Sequence, residues 1–345
     1  MTNRQVLLRR RPVGAPSAAD FELVTGPLPA VPDGGVLRRT IYLSLDPYMR
    51  GRMSDAASYA PMAALGEPMV GATVSQVVES KNPAFAAGDF VAGYDGWQEY
   101  GASTGRELRK VDPARAPIST ALGVLGMPGL TAYVGLLDIG QAKAGETVVV
   151  SAASGAVGAV VGQIAKIKGC RAVGVAGSKQ KCEYVVRELG FDACVDYKVP
   201  SFQNDLAVSC PQGIDVYFEN VGGAVFAAVL PLLNIRARIP LCGLISEYNA
   251  TTPPSGPSLR PLLVKRAQIK GFIVSDHNDR LAAFLEDCGG WVVDGRLKYR
   301  EDVVDGLDQA PAAFLRLFDG RNFGKLIIQV SGDPTASAHH PSRRR

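Results

Sequence analysis

Histidine is nearly missing from this 345-residue chain. There are three, and His339 and His340 sit in the polar stretch SGDPTASAHHPSRRR, which leaves His277 alone in the body of the sequence. A zinc site or a histidine-based nucleophilic triad therefore has almost nothing to be built from. The six cysteines, at 170, 182, 194, 210, 242 and 288, never reach C-x-x-C spacing and form no metal-type cluster. They read as buried free thiols of a protein kept in a reducing compartment, the cytoplasm. No run approaches the roughly 18 uninterrupted apolar residues of a membrane span. The opening MTNRQVLLRRRPVGAPS has basic residues with no apolar stretch after them, so it does not read as a secretory signal. Charge of one sign is also scarce: the net charge is +4, and Arg343, Arg344 and Arg345 supply much of it. Without a basic stripe interleaved with aromatics, nucleic acid is not an expected partner.

What remains is an ordinary globular composition, 47% hydrophobic and 20% charged, long enough for one to three domains. The first 120 residues are short β-prone runs punctuated by glycine and proline, such as GVLRRTIYLSLD, MVGATVSQVVES and GDFVAGYDGWQEY, and predict a small all-β or barrel-like unit. From about Gly123 the pattern changes to alternating strands and helices. ETVVVSAA, RAVGVAGS, ACVDYK, GIDVYFENVGG, ARIPLCGLI and IKGFIVS read as strands. GAVGAVVGQIAKIKG, KQKCEYVVRELG and AVFAAVLPLLN read as helices. Such alternation implies βαβ crossovers and a parallel sheet, an α/β doubly wound class. DGLDQAPAAFLRLFDGRNFGKLIIQV adds a helix and one last strand that returns to the first unit, and the polar end reads as a disordered tail.

The strand–turn–helix VVVSAASGAVG, residues 148–158, is the place where a dinucleotide pyrophosphate would lie. It departs from G-x-G-x-x-G in one position: Ala153 replaces the first glycine, while Gly155 and Gly158 keep the others. Small residues let the backbone approach the phosphates, and a helix starting at Gly155 offers free N–H groups. A plain βα turn that binds nothing has the same pattern. The end of the second strand adds a second sign. An NAD site carries an acid there for the ribose 2′-hydroxyl; here the chain reads AGSKQK, with Ser178, Lys179 and Lys181, which suits a 2′-phosphate and hence NADPH. Solvated lysines at a helix start are the plain alternative, although cations oppose the helix dipole there.

Taken together, LSLDPYMRGRM (43–53), GMPGLTAY (126–133), SAASGAVG (151–158), AGSKQKCEY (176–184), FENVGG (218–223), CGLISEYN (242–249), KGFIV (270–274) and NFGKLII (322–328) resemble the medium-chain dehydrogenase/reductase superfamily. More narrowly they resemble its zinc-free double-bond reductases: prostaglandin, alkenal and curcumin reductases. The resemblance implies a GroES-like β-rich catalytic domain over 1–122 and 290–331, a Rossmann NADP-binding domain over 123–289, and a tail over 332–345. It implies cofactor contacts from Gly155, Ala156, Val157 and Gly158 on the pyrophosphate, and from Ser178, Lys181 and Tyr197 around the 2′-phosphate. Asn220, Cys242, Gly243, Leu244, Ile245, Ser246, Tyr248, Phe272, Ile273, Val274 and Asn322 would line the rest. The zinc branch's G-H-E is replaced by Gly66-Glu67-Pro68, and no cysteine-rich lobe is present, so no metal is expected.

The implied reaction is NADPH-dependent reduction of a double bond conjugated to a carbonyl, on a small apolar enal or enone. Negative charge develops on the carbonyl oxygen, and a neutral hydroxyl suffices to meet it. Tyr48 is the first candidate donor; Tyr248 is the second, either touching substrate or holding the nicotinamide ribose. A quinone reductase of the same superfamily and a non-catalytic NADPH-binding sensor are the competing readings. A homodimer through edge strands of the Rossmann sheet near IKGFIVS is also implied.

Overall fold

The computed structural model describes residues 1–336. The chain divides into two compact units: 1–122 with 301–322 and 326–336, and 123–300 with 323–325. In chain order the first unit contributes β1 (Thr2–Leu8), β2 (Phe21–Pro27), β3 (Val36–Ser44), the short helix α1 (Tyr48–Arg52), β4 (Thr73–Ser80), β5 (Phe90–Gly93), β6 (Tyr100–Ser103) and β7 (Arg109–Lys110). The second unit contributes α2 (Met127–Val134), β8 (Thr147–Ser151), α3 (Gly158–Ile167), β9 (Arg171–Ala176), α4 (Lys179–Arg187), β10 (Ala193–Asp196), α5 (Phe202–Ser209), β11 (Ile214–Phe218), α6 (Gly223–Val229), β12 (Leu233–Leu241), α7 (Arg260–Lys265), β13 (Gln268–Gly271) and α8 (Leu281–Val293). The chain then returns to the first unit with β14 (Glu301–Asp305), α9 (Ala310–Leu315) and β15 (Lys325–Gln329).

The first unit is β-rich. Its larger sheet runs β14-β15-β3-β4-β5-β7, with β6 also pairing β3, and β1 and β2 form a separate antiparallel pair. Trp97 anchors one of its cores, stacked on Phe21 at 5.2 Å and edge-on to Phe314 at 5.7 Å. The buried Arg38 guanidinium pairs with Asp95, whose Oδ2 also accepts from Thr73 and Ser75, so this buried charge is fully engaged.

The second unit is a six-stranded, all-parallel sheet in the order β10-β9-β8-β11-β12-β13. β8 (TVVVS) is buried along its whole length, as a β-branched central strand covered on both faces should be. Apolar clusters fill both faces, one built on Val148, Val150 and Ile164, the other on Val149, Val173 and Tyr217. The strand order reverses between β8 and β11, the switch point at whose carboxyl ends open α/β sheets bind their ligands.

Some boundaries differ from the sequence expectation. α3 is regular from Gly158, not Gly155, although its first i→i−4 bond, Ala159 N–H to Gly155 O at 3.0 Å, already begins there. The helix expected over AVFAAVLPLLN ends at Val229; Pro231 sits in a tight 3₁₀ turn and Leu233 already belongs to β12. The return to the first unit comes at Glu301, not 290, because α8 runs to Val293 and Trp291 and Leu297 are buried in the second unit's core. Of the expected tail, residues 332–336 are described. There Asp333 accepts from the Tyr42 hydroxyl at 3.1 Å and from the Thr335 amide at 2.7 Å. His339, His340, Arg343, Arg344 and Arg345 lie outside the described residues.

Candidate active site

The turn after β8 is shaped by what it lacks. A Cβ at Gly158 would lie 2.4 Å from the Ala152 carbonyl oxygen, so only glycine fits where α3 leaves the turn. Gly155 N–H closes back on Ala152 O at 2.9 Å, and Ala153 N–H ties the turn to β9 through Val175 O at 3.0 Å. The left-handed strain falls on Ala152, with φ 53°, and not on Ala153 at the first glycine position. Gly155, Ala156, Val157 and Gly158 thus form one tight loop at the head of α3, the arrangement that presents backbone N–H groups to an anion. On its other side Gly155 bridges to Gly324, whose N–H reaches Ser154 O at 3.2 Å.

The corner after β9 is built from side chains. Ser178 is the N-cap of α4, extended at φ −168°, and its Oγ accepts from the Lys181 amide at 3.3 Å. The Tyr197 ring, two-fifths exposed, lies directly on Gly177: a Cβ there would meet its ring at 2.9 Å and its hydroxyl at 3.2 Å. Ser178, Lys181 and Tyr197 are therefore brought to one spot, and the residues at the strand end, Gly177, Ser178 and Lys179, include no carboxylate.

At the carboxyl ends of β8 and β11 a buried polar network ties the two strands. Ser151 Oγ donates to Glu219 Oε1 at 2.9 Å and accepts from the Asn220 amide at 2.8 Å, while Asn220 Nδ2 donates to Ser151 O at 2.8 Å. The Asn220 side chain thus ties the end of β11 to that of β8. Burial pushes the Glu219 carboxyl up from its ordinary range, against the opposing pull of the Val221 and Gly222 N–H groups. Glu219 O in turn accepts from Cys242 N–H at 2.9 Å and Gly243 N–H at 3.1 Å. Asn220 O accepts from Ile245 N–H, and Val221 O from both the Ser246 amide and its Oγ. So the backbone carbonyls of Glu219, Asn220 and Val221 hold the loop 242–246 in place, and Ser151 and the Glu219 carboxylate, which sequence reasoning passed over, fix that segment to β8. Burial pushes the Cys242 thiol up to about 12. Tyr248 folds back over this loop: its hydroxyl oxygen accepts from Leu244 N–H at 3.4 Å, and a Cβ at Gly243 would lie 2.9 Å from it. Phe272 is buried against Phe218, edge-on at 6.2 Å, so its ring belongs to the core, and Ile273 and Val274 follow it off the end of β13. Asn322 is the last residue of the first unit's segment before Phe323.

In the first unit, Tyr48 opens α1 after its N-cap Pro47 and the buried Asp46, which accepts from Ser44 Oγ. The Tyr48 phenol is pushed well above its usual range, first by burial and then by the negative field of Asp46, with Tyr94 and Tyr59 adding and Arg52 opposing. A hydroxyl so placed keeps its proton. Tyr94, 66% exposed, is a neighbour that the sequence did not single out. Arg50 donates to Gly14 O at 2.9 Å and Arg52 lies beside the ring, so Arg50 anchors a loop. Met69 is core; Tyr59 and Met62 are exposed. Among the described residues no three His, Cys, Asp or Glu side chains are grouped to hold a metal ion.

A doubly wound parallel sheet with a small-residue turn on its first strand and a basic corner on its second defines a dinucleotide-binding class. Residues 4–111 match the family described as the N-terminal domain of oxidoreductase, and residues 156–287 the one described as zinc-binding dehydrogenase. The chain is 54% identical over 337 residues to the NADPH-dependent curcumin reductase of Escherichia coli, spanning 96% of this chain and 98% of that protein. It is 43% identical to the NADP-dependent 2-alkenal reductase of Nicotiana tabacum, over 96% and 98% of the two chains. The crystal structure of CurA from Vibrio vulnificus in complex with NADPH superposes with a TM-score of 0.92 at 52% identity, covering 96% of this chain and all of that one. The chain belongs to the medium-chain dehydrogenase/reductase superfamily, in the branch of curcumin, prostaglandin and alkenal reductases.

Proposed function

We propose that this protein reduces the carbon–carbon double bond of 2-alkenals and enones, with Tyr48 as hydrogen-bond donor to the carbonyl oxygen. It is an NADPH-dependent oxidoreductase. The corner after β9 carries the cofactor reading. Tyr197 seated on Gly177, Ser178 at the N-cap, Lys181 one turn on and no carboxylate at the strand end suit a ribose 2′-phosphate and would repel nothing about it. The turn 155–158 would hold the pyrophosphate, and Asn220, the loop 242–246, Ile273, Val274 and Asn322 the remainder. When bound, NADPH supplies the hydride that adds to the β-carbon.

As that carbon is reduced, charge moves to the carbonyl oxygen as an enolate, and Tyr48 donates to it. Its phenol is neutral throughout the working pH range because burial and Asp46 hold it above its usual value. Tyr248 keeps the loop at 243–244 closed, a positioning role that its bond to Leu244 N–H supports. The substrate class is supported by the names of the relatives, a curcumin reductase and a 2-alkenal reductase. The exposed edge strand β13, with Leu263 and Val264 of the preceding α7 also exposed, supports a homodimer built by pairing two sheets. Six free thiols suit the cytoplasm.

NADPH oxidation with a 2-alkenal, an aryl enone, a quinone and a saturated ketone tests the activity. Turnover of the first two to saturated-bond products is expected; turnover of the quinone alone overturns it. In the same assay Tyr48→Phe lowers kcat by about a hundredfold, the loss typical of one oxyanion donor, with NADPH affinity unchanged. Full turnover by that variant removes Tyr48 from the reacting centre.

A further inference from the structure

Two cysteines that the reduction does not use meet at the edge of the 2′-phosphate corner. Cys182 lies in the first turn of α4 and Cys194 in β10. Val185 of α4 and Leu189 just beyond it belong to the apolar cluster against which Cys194 of β10 packs. Cys194 is in register with Gly174 of β9, and a Cβ on Gly174 would lie 3.1 Å from Cys194 Sγ and 3.1 Å from Val185 Cγ1. The missing side chain at 174 leaves the Cys194 thiol room beneath α4, where it donates a hydrogen bond to the sulfur of Cys182. Both residues are half-buried and free.

We propose that Cys182 and Cys194 are a dithiol modification site that a hydroperoxide closes to a disulfide, and that closure loosens the hold of this corner on a 2′-phosphate. Cys182 is the attacking group. The hydrogen bond from Cys194 holds its thiol below the usual range, and its place in the first turn of a helix favours the anion further. Cys194, as the donor and the more buried of the two, is held above. The Cys182 thiolate attacks one peroxide oxygen; a sulfur–oxygen bond forms, the oxygen–oxygen bond breaks, and the alcohol leaves with a proton. Cys194 then gives up its proton and attacks the Cys182 sulfenic acid; the sulfur–sulfur bond forms and water leaves. Two thiols lose two electrons and two protons in all, and one hydroperoxide becomes one alcohol and one water.

The coupling to the corner is a matter of shared backbone. Cys182 N–H donates to Ser178 O at 3.0 Å, and Lys181 N–H donates to Ser178 Oγ at 3.3 Å. Drawing Cys182 toward β10 therefore moves the turn that carries Ser178 and Lys181. This part rests on the reading of that corner as the 2′-phosphate site.

The test treats the full-length protein with cumene hydroperoxide and maps its peptides. The expected product has lost two hydrogens, links Cys182 to Cys194, and returns to the dithiol with dithiothreitol. An unlinked Cys182 carrying one or more oxygens, a bridge between other cysteines, or no change overturns the site. Cys194→Ser keeps the basal enone reductase activity and, on treatment, accumulates a dimedone-trappable sulfenic acid at Cys182; absence of that adduct counts against Cys182 as the attacking thiol. The disulfide form binds NADPH about fivefold or more weakly while NADH is unaffected. A disulfide that leaves NADPH affinity intact overturns the coupling alone. An NADPH/NADH preference that does not change in Lys181→Ala overturns the cofactor reading of the corner and leaves the dithiol standing.

Discussion

The turn after β8 and the corner after β9 are neighbours in one sheet, yet under the proposed function they would recognise a dinucleotide by opposite means. The turn works by the absence of side chains: Gly158 has no room for a methyl group, and the groups it offers are backbone N–H. The corner would work by their presence: a serine cap, a lysine and a tyrosine ring laid on a glycine. A backbone device is blind to which dinucleotide it holds, because NADH and NADPH share the pyrophosphate. A side-chain device sees the one phosphate by which they differ. Damage to the first is therefore expected to weaken both cofactors alike, and damage to the second to change only their ratio.

The largest effect belongs to the turn. Gly158→Ala places a methyl group 2.4 Å from the Ala152 carbonyl oxygen, so the turn has to open. Misaligning two charge-assisted N–H contacts removes about 3 kcal/mol, roughly a hundredfold in affinity for NADPH and NADH together. Isothermal titration with both cofactors checks it; a selective loss of one would break the comparison. Next comes the corner. Lys181→Ala removes one charge-assisted contact worth roughly 1.5–3 kcal/mol, so NADPH weakens by about tenfold or more while NADH holds. An unchanged ratio takes Lys181 out of the site.

The two devices were also unequally legible in the sequence. The corner could be read directly, because Ser178 and Lys181 are three residues apart on one helix start and the missing acid is a matter of one strand end. The turn was readable as a motif, but its strain was not. The eye falls on Ala153, the replaced glycine, whereas the backbone turns left-handed one residue earlier, at Ala152. Ser151 and Glu219 escaped notice for a different reason. They are 68 residues apart, and only the β8–β11 pairing of a parallel sheet puts the hydroxyl on the carboxylate. Tyr94 joined Tyr48 in the same way, through the fold of the first unit. The extension of the second unit to Arg300 was hidden because α8, with Gly289 and Gly290 in its middle, lacks the caps that mark helices in sequence.

The smallest expected effect sharpens the contrast most, because it alters the turn without filling it. Ala152 at φ 53° carries the left-handed penalty of a residue with a Cβ, about 1–2 kcal/mol. Ala152→Gly relieves that strain but adds freedom to the unfolded chain, an opposing cost of about 0.5–1 kcal/mol. The net is a gain of about 0.5 kcal/mol, a rise of a degree or two in Tm. No group that faces the cofactor is added or removed, so NADPH and NADH affinities should both stay within about twofold of the parent, their ratio unmoved. Thermal melts with and without each cofactor read both quantities in one experiment. If the glycine variant melts lower and loses both cofactors, the strained alanine is itself part of how the turn is held ready. The device would then depend on one side chain after all.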